Sequence, residues 1–339
     1  MRITNRMITS QYTKSLNNLS AELNRLNVQV ASGRKFEKSS ENTSAAIKAF
    51  QIRDDMVRAE GYRANIDHAL ASLKDAESAI SHIQELTHEA SEKILHGLNG
   101  SLSIEERKII STELRNIRDQ LFQTLNSNSS DSYYFGGANT TERPFEVGAD
   151  GKLQYNGSSL ALPLSDPANQ ALYNSLSSES LFVDIGLNLK FDGVTGKVDE
   201  STVFGYSVPG INVVGSGTTT VDGVEVSNNI YDLLGELAAE FESAGYSHKK
   251  ADTLYGNFKN SLSGISRSIT GIGSRASYLE FMTERIDTRT LNLQERQVDV
   301  EGIDPAAAII QFESQKFAYN AALQMGSQIL QQTIFDFMR

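Results

Sequence analysis

At 339 residues the chain has room for two or three domains, and a formal charge of −11 with a pI near 5.0 excludes the clustered cations that coating nucleic acid requires. Having neither cysteine nor tryptophan, it forms no disulfide staple, thiolate nucleophile or cysteine zinc site. The residues after Met1 lack the apolar core of a signal peptide, and no stretch reaches the roughly 18 to 20 apolar residues of a membrane span, so composition alone describes a soluble, cytoplasmic chain.

Ile8, Tyr12, Leu16, Leu19, Leu23, Leu26 and Val30 recur at spacings of three and four, which predicts a helix with a coiled-coil seam. Gly33 ends it, and the polar run from Lys35 to Thr43 reads as a loop. A second helix is predicted from about residue 44 to 96, roughly 80 Å long at 1.5 Å per residue, with Ile66, Ala69, Leu73, Ala76, Ile80, Ile83, Thr87, Ala90 and Ile94 on one stripe. Gly97 and Gly100 stop it; Ser103 and Glu106 then form a capping box ahead of a third helix through Ile110, Leu114, Ile117, Leu121 and Leu125.

Character changes after Asn126. From Tyr133 to Ser227 Gly, Ser, Thr, Val and Asn dominate, four of the five prolines are found, and Lys152 to Tyr155, Leu187 to Phe191, Val203 to Val208 and Thr218 to Val226 read as strands between glycine turns. Helix resumes after Asn229 with Ile230, Leu233, Leu234, Leu237 and Phe241, ending at Gly245. A long seam follows from Leu254 through Phe258, Ile265, Ile272 and Leu279 to Ile286. Gly302 to Pro305 breaks it before a last helix whose stripe carries Ile309, Phe312, Tyr319, Leu323, Gly326, Leu330, Ile334 and Phe337.

The order is nearly palindromic. It predicts a mainly α fold: a long antiparallel helical coiled-coil bundle formed by the N- and C-terminal regions, with an inserted β-rich domain at its far tip. The expected domains are a terminal coiled-coil polymerisation domain (1–40 plus 300–339), a long helical rod (41–132 plus 228–299) and a β-rich outer domain (133–227). Residues 1–36 hold six cations and one acid, and residues 297–339 five acids and two cations, so charge as well as the seams favours pairing of the ends.

The last helix carries a second apolar face through Ile310 and Phe317 that one partner helix does not cover. Both terminal stripes are therefore expected at subunit interfaces: Ile8, Tyr12, Leu16, Leu19, Leu23, Leu26 and Val30 on one side, and Ile309, Phe312, Phe317, Tyr319, Leu323, Leu330, Ile334 and Phe337 on the other. Gly33 and Gly302 are the candidate hinges. Chemistry is not expected. His88 lacks a second histidine four residues on, no Walker loop or Gly-x-Ser-x-Gly elbow occurs, and Asp54 and Asp55 are adjacent on a helix and point apart. No catalytic, cofactor or metal residue is assigned.

Met1-Arg2-Ile3-Thr4 with Ala31-Ser32-Gly33-Arg34-Lys35, and Gly273-Ser274-Arg275-Ala276 with the Asp304 break, resemble the two ends of the bacterial flagellin superfamily. Tyr133-Tyr134-Phe135-Gly136-Gly137, Arg143-Pro144-Phe145 and Leu153-Gln154-Tyr155-Asn156-Gly157 are similar to its hook-filament junction branch, whereas Gln328 to Gln332 has a filament-flagellin flavour. The resemblance implies a structural subunit joining hook to filament as a ring held by terminal helices, with filament flagellin the alternative. It also implies uncleaved type III export to an extracellular flagellum. The partners it implies are other copies of the chain, a neighbouring hook-associated protein, flagellin, and a cytosolic export chaperone on the C-terminal helix, with no nucleic acid or membrane. A carbohydrate-binding module on the β-rich insert is compatible with either role.

Overall fold

The computed structural model of the chain describes residues 5–99, 102–129, 132–193, 196–221 and 223–335. Met1 to Thr4, Gly100 and Phe337 lie outside these residues; Leu330 and Ile334 fall on described helical backbone, but their side chains lie outside the description. The described chain comprises helices α1 (Asn5–Ser32), α2 (Thr43–Gly97) and α3 (Ile104–Leu125), a middle region, then α6 (Ile230–Glu242), α7 (His248–Glu301) and α8 (Pro305–Phe335). The middle region contains β1 (Asn128–Ser129), β2 (Ser132–Tyr133), β3 (Phe145–Val147), β4 (Leu153–Tyr155), β5 (Ser158–Ser159), α4 (Pro167–Ser178), β6 (Phe182–Val183), β7 (Phe204–Gly205), α5 (Ile211–Val214), β8 (Thr218–Val221) and β9 (Val224–Ser227). Two compact units result, one of residues 1–60 with 287–339 and one of residues 61–286.

In the larger unit, α2 and α7 run antiparallel, tied by Ser91 Oγ to Tyr255 Oη at 3.0 Å and by Lys74 to Glu280 at 3.4 Å. The seams read from the sequence are its core: Ile66, Leu73, Ile80, Ile83 and Ile94 of α2 and Phe258, Ile272 and Leu279 of α7 are almost wholly removed from water. Helices α3 and α6 pack together over them, contributing Leu114, Leu121, Leu234 and Phe241. Gly97 is required where α2 ends: a Cβ there would stand 2.7 Å from the ring of Phe241.

The capping box is present. Ser103 Oγ accepts the Glu106 amide at 3.3 Å, and the Glu106 carboxylate accepts the Ser103 amide at 2.7 Å, which holds that carboxyl below its ordinary 4.5. Ser103→Ala is expected to cost about 1 kcal/mol in denaturant unfolding. Because the folded carboxyl is the stronger acid, the Glu106 share of the cap is present above the unfolded value of 4.5 and is lost as pH falls through the lowered folded value. The stability gap between wild type and Ser103→Ala should therefore narrow in acid.

Helix α3 doubles back along α2, with Lys93 meeting Glu113 at 3.0 Å, and so delivers the chain to the middle of α2. The insert accordingly lies beside α2 and α7 and not at the tip. Asn65 donates to the Asp184 carbonyl at 2.8 Å, Phe204 stacks on Tyr278 at 5.6 Å, and Arg275 donates to the Ser207 carbonyl at 3.0 Å.

Inside the insert, the strands form small antiparallel sheets: β1–β2, β3–β4–β5, β6–β7 and the β8–β9 hairpin. Leu187 to Phe191 forms no strand beyond a single bridge from Phe191 to Val198, and the predicted strand at Val203 to Val208 shrinks to Phe204–Gly205. Helix α4 was not expected, although Asp166 capping the Ala168 amide at 2.9 Å and Pro167 in the first turn are ordinary helix-start signals. Helix α6 ends at Glu242, with the Ser243 amide closing the last turn before Gly245 is reached.

In the smaller unit, α1 pairs with α8. Tyr12 Oη donates to the Ala322 carbonyl at 2.9 Å and Gln315 reaches the Leu19 carbonyl at 3.5 Å; both pairs sum to 334, which defines one antiparallel register. Among the described residues no ion pair joins α1 to α8: Arg25 pairs with Glu22 of its own helix and Lys316 with Glu313 at 3.2 Å.

Candidate assembly surfaces

Every residue of the α1 stripe except Ile8 is half-buried or buried, with Leu26 the deepest at 4% exposure. The facing seam of α8 is Ala308, Phe312, Gln315, Tyr319, Ala322 and Gly326, again spaced four and three. It shares Phe312, Tyr319 and Gly326 with the stripe read from the sequence and replaces Ile309 and Leu323 by smaller neighbours. Gly326 lets Tyr12 close on the helix, since a Cβ there would overlap the Tyr12 hydroxyl.

The bulky aliphatic and aromatic residues of α8 face outward. Ile309, Ile310, Phe317, Leu323 and Met325 are exposed, Phe317 by 77%. At 100° per residue, Ile310 and Phe317 stand nearly opposite the seam that meets α1, and Met325 lies to one side of it. A helix apolar on both sides needs a partner on both sides, and within the chain α1 supplies one. Ile47, Phe50 and Val57 of α2 and Leu291 and Val298 of α7 are also exposed here, so this third of the chain carries more than half of the exposed large apolar residues among those described.

Gly33 and Gly302, read separately from the sequence, come together. Arg34 and Gly302 form an antiparallel bridge, the Lys35 amide donates to the Glu301 carbonyl at 2.7 Å, and the Ile303 amide donates to the Gly33 carbonyl at 3.1 Å. Lys35 Nζ adds a bond to the Asp299 carbonyl at 2.7 Å. Gly33 adopts φ +69°, the left-handed geometry that favours glycine, whereas at Gly302 a Cβ would lie 2.6 Å from the Val298 carbonyl oxygen. Phe36, Ala46 and Ala49 pack with Val300 beside the bridge, and Arg53 pairs with the buried Glu301. Asp304 caps α8, accepting the Ala306 amide at 2.9 Å, with Pro305 in the first turn. Sequence reading missed the Arg53–Glu301 pair and the bridge, because neither has a local signature.

The motifs of the insert do structural work. Phe135 is fully buried, and its carbonyl accepts Tyr155 Oη at 3.1 Å and the Gly210 amide at 2.9 Å. Asn156 and Gly157 turn the chain with positive φ between β4 and β5. Among the described residues no cluster of His, Cys, Asp or Glu is placed to hold a metal, and no helix is long and apolar enough to cross a membrane.

Two long helical segments flank a small-sheet insert, α1 pairs with α8, and residues 3–140 match the family model of the bacterial flagellin N-terminal helical region. Over its whole length the chain is 22% identical to flagellar hook-associated protein 3 of Salmonella typhimurium, covering 100% of both. Its fold matches a candidate flagellar hook-associated protein of Vibrio parahaemolyticus (TM-score 0.60, 17% identity, 77% of this chain and 100% of that one). It also matches flagellar hook-associated protein 3 of Legionella pneumophila (TM-score 0.57, 14% identity, 74% and 98%). The sequence likeness to hook-associated protein 3 runs the length of the chain, and the solved structures share its fold.

Proposed function

We propose that the chain is a structural subunit of the bacterial flagellum, not an enzyme, and that it joins the hook to the flagellin filament as a ring of copies held by their terminal helices. The observation that carries this reading is the two-sided apolar helix α8, whose exposed residues Ile310, Phe317 and Met325 are left uncovered by the described residues while end-to-end relatives are hook-associated proteins. The full terminal stripes, Leu330, Ile334 and Phe337 included, form the subunit interface and gain order on assembly. Gly33 and Gly302 act as the hinge between the polymerisation ends (1–40, 300–339) and the rod (41–132, 228–299), with residues 133–227 as the outer domain. Its neighbours are a hook-associated protein on the hook side and flagellin on the filament side, and it leaves the cell uncleaved with a cytosolic chaperone on the C-terminal helix.

A strain lacking this chain should export flagellin into the medium and bear no filaments, and re-expression should restore them. The purified chain alone should not grow long filaments. Self-polymerisation into filaments would instead make it a filament flagellin.

A further inference from the structure

A cleft of about 450 Å³ lies between α2 and the insert, within the larger unit. Its walls include His68, Ser72 and Asp75 from one face of α2, and Tyr133, Tyr134 and Tyr206 from the insert. His68 meets Tyr206 edge-on, with centroids 6.0 Å apart and planes at 84°. None of these six side chains makes a hydrogen bond or ion pair within the described chain. Tyr12, Tyr155, Tyr173 and Tyr255, by contrast, each place their hydroxyl on a partner. Three half-buried tyrosines, one carboxylate and one imidazole thus converge on one space with their polar atoms uncommitted. Burial raises the Tyr206 hydroxyl above its ordinary value, so it remains a neutral donor at any physiological pH.

We propose that this cleft binds a neutral oligosaccharide. A sugar ring offers a C–H face for the tyrosine rings and a rim of hydroxyls that both donate and accept, which is what free Tyr, Ser and His groups complement. The Asp75 carboxylate accepts from two adjacent sugar hydroxyls. No lysine or arginine is among the described lining residues, so nothing there rewards a sialylated or sulfated glycan. The volume falls in the range of small-molecule sites.

The test uses the labelled full chain on an array of neutral di- to tetrasaccharides of hexoses and N-acetylhexosamines, printed beside sialylated and sulfated glycans. The strongest neutral binder is then titrated calorimetrically. Neutral binding that weakens about tenfold or more in Asp75→Asn and in Tyr206→Ala, and less in Tyr206→Phe, is the expected result. Asp75 is exposed and unpaired, so Asp75→Asn keeps the fold, and it decides alone where Tyr206→Ala fails to fold. Binding confined to acidic glycans, no neutral binding, or unchanged affinity in Asp75→Asn overturns the proposal. None of these outcomes bears on the flagellar reading, which rests on the terminal helices.

Discussion

Phe317→Asp is expected to abolish incorporation of the chain at the junction, leaving cells without filaments, while the circular dichroism of the purified monomer stays unchanged. Phe317 is 77% exposed and lies away from the α1 seam, so a carboxylate there is fully hydrated in the free chain. Once a neighbouring subunit covers this face, the same carboxylate is desolvated without a partner at a cost of several kcal/mol, and the roughly 1.5–3 kcal/mol from burying the ring is lost as well. Leu323→Asp, at 43% exposure, should act in the same direction. Phe312→Asp is the contrasting variant: it faces α1 and should reduce both assembly and monomer helicity. Normal filaments from Phe317→Asp, or a monomer that loses helix, would mean that this face is not where subunits meet.

The second large effect is on stability. Phe258 of α7 is fully buried, and Phe258→Ala should cost about 3–5 kcal/mol, the sum of lost transfer energy and the cavity left behind. For a unit of residues 61–286 this corresponds to a melting shift of roughly 6–20 °C. Scanning calorimetry would check it. Motility at low temperature should survive, because the substitution leaves every exposed residue of the terminal helices in place.

The long helices were legible because their apolar residues repeat over many turns, and a seam such as Ile66 to Ile94 is hard to produce by accident. The insert was much less so. Its strands are two to four residues long and owe their places to contacts distant in sequence: the Leu153 amide donates to Asp232 at 3.1 Å, and Lys152 pairs with Glu236 at 2.6 Å. Local pattern holds no record of such partners. Asp166-Pro167, by contrast, was a local signal of α4 that the surrounding Gly and Ser content obscured. The α8 stripe was only half recovered for a different reason. When Ile309, Ile310, Phe317 and Leu323 surround a helix, hydrophobicity alone does not say which side meets its own chain; the small residues Ala308, Ala322 and Gly326 do, because they allow close approach to α1.

The bridge between the two chain breaks has a mechanical consequence. Two segments of the chain pass through it covalently, so tension along the terminal pair is carried by two stretches of backbone in parallel, and not by the bonds between Gly33–Lys35 and Glu301–Ile303. A sideways tilt is different, since it lengthens one path and shortens the other and must shear those bonds. If Gly33 and Gly302 form the proposed hinge, the joint resists bending only until a few hydrogen bonds give way, and re-forming them would restore it.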